Sequence, residues 1–289
     1  MDVLFPMAGQ GARFGHKFKP FLTFEDRTFI EAAVAPFREF QSRISRFVFV
    51  YLAAQERELA VSERLSEMFS DLAIETVQLA TPTRGPAETI GRAAQQLGAR
   101  GPVLICDCDH TLDVEPLFTA ADRATRGEPF DALLPVWPLD GEDVASWSVA
   151  LVDAGRVLAI GEKRIPEPPP AAPDQAHVPV GASMGVPVAT PMGVPVGVPM
   201  GVIGCYGFAD IATVAARARA LSATNFSDVI AAMLAEGGVV RAAPIAHARF
   251  FGDPQRLERA TGSAGSVEHA PGGAEDARGT RAPRAPGVS

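Results

Sequence analysis

The sequence predicts an α/β fold: a mixed, mainly parallel central sheet flanked by helices, with a low-complexity insertion and a disordered C-terminal tail. Three observations carry this. Short apolar runs at Val3 to Met7, Arg46 to Leu52, Ala73 to Gln78 and Val103 to Cys106 read as strands, the second of them buried on both faces. Helical stretches at Thr28 to Phe40, Ala54 to Phe69 and Pro86 to Leu97 separate these runs, so successive strands need crossover connections and pair in parallel. Glycines follow the first run at once and acids follow the fourth, which delivers both to the sheet edge where ligands collect. Later runs at Asp131 to Val136, Ser148 to Val152, Val157 to Ile160 and Val202 to Phe208, with helices at Ile211 to Leu221 and Phe226 to Glu236, make the second half more mixed.

Composition bounds what such a fold does. The chain has 289 residues, 47% of them apolar and 21% charged, enough for one sizeable core. Its net charge of −8 argues against nucleic acid as a partner, so an anionic ligand must be held locally. No basic stretch precedes an apolar core at the amino terminus, and no apolar run reaches the length of a membrane span. The expectation is a cytoplasmic protein with no membrane partner. Cys106, Cys108 and Cys205 fit neither a zinc knuckle nor a redox pair, so buried free thiols are expected.

Two segments read as lying outside the core. Residues 166–201 are proline-rich and carry an eight-residue repeat, Met184 to Pro191 and Met192 to Pro199, begun again at Met200. Prolines at this density withhold ladder donors and favour extended chain, as a tolerated surface insertion or as a lid or docking arm. Residues 261–289 form a Gly/Ala/Pro/Arg tail for which disorder is expected. The folded domain is therefore residues 1–260.

The chemistry concentrates in a few motifs. Ala8-Gly9-Gln10-Gly11-Ala12-Arg13, with Lys19-Pro20 close behind, combines glycines that admit a polyphosphate to backbone amides with two fixed positive charges. It is neither a Walker loop, which needs Gly-Lys-Ser/Thr, nor a dinucleotide fingerprint, whose third glycine is displaced. Asp107 and Asp109 follow a strand directly and offer hard oxygen ligands suited to magnesium, although Asp107 is equally a turn former. Gly85, between Arg84 and Pro86, reads as the start of a helix with Pro86 in its first turn. Glu162-Lys163 ends a hairpin and reads as a surface ion pair or as a binding pair. Asn225-Phe226-Ser227-Asp228 starts a helix, where Ser227 or Asp228 is a natural cap.

In this order these segments resemble nucleotidyltransferases that activate sugar 1-phosphates or phospho-alcohols, including the cytidylyltransferases of the latter, with a glycosyltransferase-A-like, nucleotide-diphospho-sugar transferase-like fold. The likeness covers about residues 2–165 and 202–260, where Val202-Ile203-Gly204-Cys205-Tyr206 and Phe251-Gly252-Asp253-Pro254 also match. It implies a nucleoside triphosphate and a phosphorylated small-molecule acceptor as partners and Mg2+ as cofactor. By the resemblance Ala8, Gly9, Gly11, Arg13, Gly85 and Asp107 bind nucleotide, and Arg13, Lys19 and Lys163 act in catalysis. Glu162, Lys163 and Gly204 bind acceptor, and Asp109 and Asp228 hold the metal. The five residues between Arg13 and Lys19 leave base and acceptor open, and the motifs are silent on oligomeric state. A glycosyltransferase of the same fold, for which Asp107-Cys108-Asp109 would serve, and a non-catalytic nucleotide-binding protein are the competing readings.

Overall fold

The computed structural model describes residues 1–167 and 197–262. In chain order the strands are β1 (Asp2–Pro6), β2 (Thr23–Phe24), β3 (Arg27–Thr28), β4 (Arg46–Leu52), β5 (Ile74–Leu79), β6 (Val103–Cys106), β7 (His110–Leu112), β8 (Ala132–Pro138), β9 (Ser148–Asp153), β10 (Arg156–Glu162), β11 (Val198–Val202), β12 (Cys205–Phe208), β13 (Val240–Pro244) and β14 (Ala248–Phe250). The helices are α1 (Phe29–Val34), α2 (Ala53–Leu59), α3 (Val61–Met68), α4 (Pro86–Leu97), α5 (Glu115–Thr125), α6 (Ile211–Ala220), α7 (Phe226–Ala235) and α8 (Pro254–Gly262).

Ten strands build one sheet in the order β11-β9-β10-β13-β8-β12-β6-β1-β4-β5. The β6-β1-β4-β5 half is parallel throughout, as its helical crossovers require. The other half is antiparallel except where β13 runs parallel to β8. Alternation along β1 and β4 divides the core between two faces. Leu4, Val48 and Val50 pack with α4, α6 and α7 on one, and Val3, Phe5, Phe47 and Phe49 pack with α1, α3 and α5 on the other. The aligned carboxyl ends of β1 and β6 are thus held rigidly from both sides.

Five expectations need correction. The helix drawn over Thr28 to Phe40 stays α-helical only to Val34 and tightens to a 3-10 helix over Ala35–Arg43, because Pro36 lacks the donor that an α-helical ladder needs. The helix over Ala54 to Phe69 breaks at Ala60, which turns left-handed at φ 48°. The break seats Val61 and Leu65 in the core, and the Glu56 carboxylate accepts from both the Ser62 amide and hydroxyl. The strand over Val202 to Phe208 splits after Val202 and resumes at Cys205.

The proline-rich segment also ends earlier than drawn. Val198 to Gly201 form most of β11, paired with β9 and, from Met200 on, with β8. Pro199 is accommodated because it has a strand on one side only, so its missing donor costs no ladder bond. The rest of that segment, 168–196, and the tail from 263 lie outside the described residues. Free thiols are found only at Cys108. Cys106 and Cys205 stand directly opposite on β6 and β12 and are joined by a disulfide, a pairing that spacing in sequence does not reveal.

Candidate active site

β1 ends at Pro6, and the Met7 amide still reaches across to the Val50 carbonyl at 2.7 Å, so the glycine loop leaves the sheet from a fixed point. Gly11 turns left-handed at φ 63°, and a Cβ there would collide with the Lys17 carbonyl. Its own carbonyl accepts from the amides of Phe14 and His16, at 2.9 and 3.0 Å, which closes the loop on itself. The side-chain amide of Gln55 on α2 donates to the Gly9 carbonyl at 3.1 Å and pins the loop from outside. Nothing in the sequence marks Gln55 for this; it reads as one more polar residue of a charged helix.

Lys19 and Asp109 form an ion pair at the loop's far end. The Lys19 ammonium also lies 5.9 Å from the centre of the Phe14 ring. Burial works against its charge, but Asp109 outweighs that penalty and the Lys19 pKa is raised. Burial likewise opposes the Asp109 carboxylate, yet Lys19 holds its pKa well below the usual range. Asp107 is different. Burial first, and then the Asp109 charge, raise its pKa, and its carboxylate has no hydrogen-bond or ion-pair partner among the described residues. Burial also pushes the Cys108 thiol between them up to about 12, so it is no nucleophile near neutral pH.

The strand end is braced from two directions. A Cβ on Gly252 would lie 2.5 Å from an Asp109 carboxylate oxygen, and the Phe251 amide donates to the Asp109 carbonyl at 3.0 Å. Phe251 itself is fully buried against Phe24 and Phe29. Across the site Gly204 touches Asp107 so closely that any side chain would strike its carboxylate. The Asp107 amide donates to the Gly204 carbonyl at 2.7 Å.

Gly85 precedes α4, and a Cβ there would lie 2.5 Å from the Thr224 carbonyl, so glycine lets the start of α7 dock on this loop. Thr83 and Thr89 join hydroxyls at 2.7 Å and both reach the Gly85 carbonyl. Glu88 is occupied by Arg84 and Arg92, which hold its pKa at about 2.

These parts enclose one cleft of about 490 Å3, lined by Pro6 to Gly11, Lys19, Pro20, Thr83 to Pro86, Thr89 and Asp107 to Asp109. Of the residues singled out in the sequence, Ala8, Gly9, Gly11, Lys19, Gly85, Asp107 and Asp109 therefore converge. Arg13, Glu162, Lys163, Gly204 and Asp228 do not line it. Arg13 is exposed on the single turn after Gly11. Lys163 is exposed, with a left-handed backbone at φ 56° and its amide on the Trp147 carbonyl. Gly204 reaches the cleft only by touching Asp107.

Asp228 stands at the start of α7 and outside the cleft lining. Its exposed carboxylate accepts from the Asn225 amide at 3.3 Å and forms the capping box that starts α7. The same chemistry that made it a plausible ligand, an acid in the first turn of a helix, makes it a cap. No cluster of three or more His, Cys, Asp or Glu side chains placed to hold a metal occurs among the described residues.

A parallel half-sheet whose carboxyl edge carries a glycine loop, a lysine and an aspartate pair around one cleft defines the nucleotidyltransferase class of α/β enzyme. The chain belongs to the MobA-like NTP transferase domain family, whose model matches residues 4–167. No curated protein matches its sequence. Among solved structures it is similar to a nucleoside-diphosphate-sugar pyrophosphorylase from Vibrio cholerae RC9, at 18% identity and a TM-score of 0.64, over 90% of this chain and 100% of that one. It is also similar to the inositol-1-phosphate CTP transferase of T. maritima, at 14% identity and TM-score 0.62 over 88% and 90% of the chains. A UTP-bound UGPase from Acinetobacter baumannii aligns at 16% identity and TM-score 0.61 over 90% and 91%. At such identities the likeness is one of fold.

Proposed function

We propose that the enzyme transfers a nucleoside monophosphate from a nucleoside triphosphate to a sugar 1-phosphate or related phospho-alcohol and releases pyrophosphate. The observation that carries this reading is the convergence of the glycine loop, Lys19, the Gly85 loop and the aspartate pair on one cleft at the sheet edge. The proposed working unit is residues 1–260, interrupted by the proline-rich segment that ends before β11. Its proposed compartment is the cytoplasm; no helix among the described residues is long and apolar enough to cross a membrane.

The donor set fits magnesium. Asp107 is a carboxylate without a protein partner beside a second carboxylate, an arrangement that calls for a cation. Magnesium takes one or two carboxylates and completes its shell with water and phosphate oxygens, so two ligands suffice. Asp109 and Asp107 would hold it; Asp228, spent on its cap, is left out of the proposed set. When bound there, the ion would offset the repulsion between two polyanions and the charge that develops on the leaving pyrophosphate.

The protein's own groups then position and neutralise. The amides of the loop from Gly9 to Gly11 and the Arg13 side chain receive the departing phosphates, and Lys19 faces the α-phosphate. An acceptor phosphate oxygen attacks the α-phosphorus in line. The bond from that phosphorus to the bridging oxygen breaks, and the electron pair leaves with pyrophosphate. No general base is needed, because a phosphate monoester is already ionised near neutral pH. Lys163 and Glu162 are assigned to the acceptor's phosphate and hydroxyls.

The test is pyrophosphate release by purified protein with magnesium, each of the four common triphosphates and a panel of sugar phosphates and phospho-alcohols. Release with at least one pair is expected, and Asp109→Asn should abolish it. Consumption of a nucleotide sugar without pyrophosphate release would replace this reading with a glycosyltransferase.

A further inference from the structure

Resting on the nucleotidyl-transfer reading, we propose that Ser148 and Ser227 are positioning residues that set the Glu162 carboxylate for the hydroxyl groups of the acceptor. Ser148 opens β9 and stands directly opposite Glu162 at the end of β10. Its hydroxyl donates to Glu162 Oε2 at 2.6 Å. Ser227, in the first turn of α7 and only 3% exposed, donates to the same oxygen at 2.9 Å.

Both donors thus occupy one oxygen. Oε1 has no protein donor among the described residues and is left as an acceptor for a ligand hydroxyl. A carboxylate gripped by two hydroxyls from different elements has lost its rotamer freedom before any ligand arrives, which lowers the cost of binding. A buried serine hydroxyl on an otherwise apolar helix face is costly unless its hydrogen bond is used, and here its partner is the one carboxylate at the hairpin's end. Glu162 also lies near enough to Asp107 to influence its charge, so the clamp borders the cleft floor. Tyr206, on the strand that follows Gly204, is buried near Ser148 and Glu162.

The experiment compares full-length wild type with Ser148→Ala, Ser227→Ala and Ser227→Thr in the pyrophosphate assay. Glucose 1-phosphate, mannose 1-phosphate and inositol 1-phosphate serve as hydroxylated acceptors, and phosphocholine as the hydroxyl-free control. Loss of either serine should raise the acceptor KM about tenfold, with kcat changed less than about threefold and the triphosphate KM unmoved. Ser227→Thr should restore the acceptor KM, and phosphocholine should be indifferent to all three changes. Thermal melts establish that each variant is folded; should Ser227→Ala fail, Ser148→Ala at the strand start carries the test. Folded alanine variants with a wild-type acceptor KM, or turnover confined to phosphocholine, would overturn the inference alone. A wild type that releases no pyrophosphate with any acceptor overturns the underlying reading instead.

Discussion

At the scale of single residues the site depends on positions where one atom more is too many. Gly11 combines a left-handed backbone with a carbonyl where a Cβ would sit. Gly11→Ala should therefore weaken triphosphate binding at least tenfold in calorimetry and lower stability by about 1 kcal/mol or more. Asp107 makes a pH prediction whose sign is fixed by its raised pKa. Across the window from about pH 4 to about pH 7 the folded state binds the proton more tightly than the unfolded chain, so this group's contribution to stability falls as pH rises. Asp107→Asn removes that loss. The variant should melt roughly 2–4 °C above wild type near pH 7 without magnesium, and at the same temperature near pH 4.

Residues with an obligatory local role were legible in the sequence. Gly11 and Gly85 are needed by the backbone, and Asp107 and Asp109 follow a buried strand whose direction fixes where they point. At Asp228 the sequence offers two roles at once, because a helix cap and a metal ligand call for the same side chain at the same place, and the cap is the one with a contact in the structure. Gln55 and Ser148 were invisible for the opposite reason: each acts through a partner far away in sequence, Gly9 and Glu162, and nothing local distinguishes them.

At the scale of elements, the start of α1 shows a cap doing its ordinary work. Thr28 accepts from the Glu31 amide and Glu31 accepts from the Thr28 amide, so Thr28→Ala should lower stability by about 1 kcal/mol in denaturant melts. α1 packs on the Lys19 turn and on β7 but lends no residue to the cleft, so either substrate's KM should move by less than about threefold. Element positions in the parallel half were readable from apolar runs, since β1, β4 and β6 are buried on both faces. Boundaries were less so. Ala60 breaks a helix without any glycine or proline to announce it, and β11 includes Pro199 because an edge with one neighbour tolerates the missing donor. The short β7–β14 pair, which brings the Phe251-Gly252 turn onto Asp109, joins residues more than a hundred positions apart and leaves no local pattern.

At the scale of the whole molecule, two cores clamp the parallel strands from opposite faces, and their shared carboxyl edge presents one cleft. On the proposed reading the net charge of −8 makes that edge more demanding, because anionic substrates would approach an acidic protein and would have to be drawn in by Lys19, the loop amides and a divalent ion. Adding salt should accordingly weaken triphosphate binding less than removing magnesium does, as dialysis at fixed ionic strength would show.

The central claim is that Asp107 and Asp109 together recruit the ion that lets the glycine loop hold a triphosphate. It is tested most directly by calorimetric titration of the triphosphate with and without magnesium in wild type, Asp107→Asn and Asp109→Asn. The account predicts that magnesium tightens binding at least tenfold in wild type and that both variants lose this gain while remaining folded. A folded Asp109→Asn protein that keeps the full magnesium-dependent affinity, and releases pyrophosphate at the wild-type rate, would contradict it.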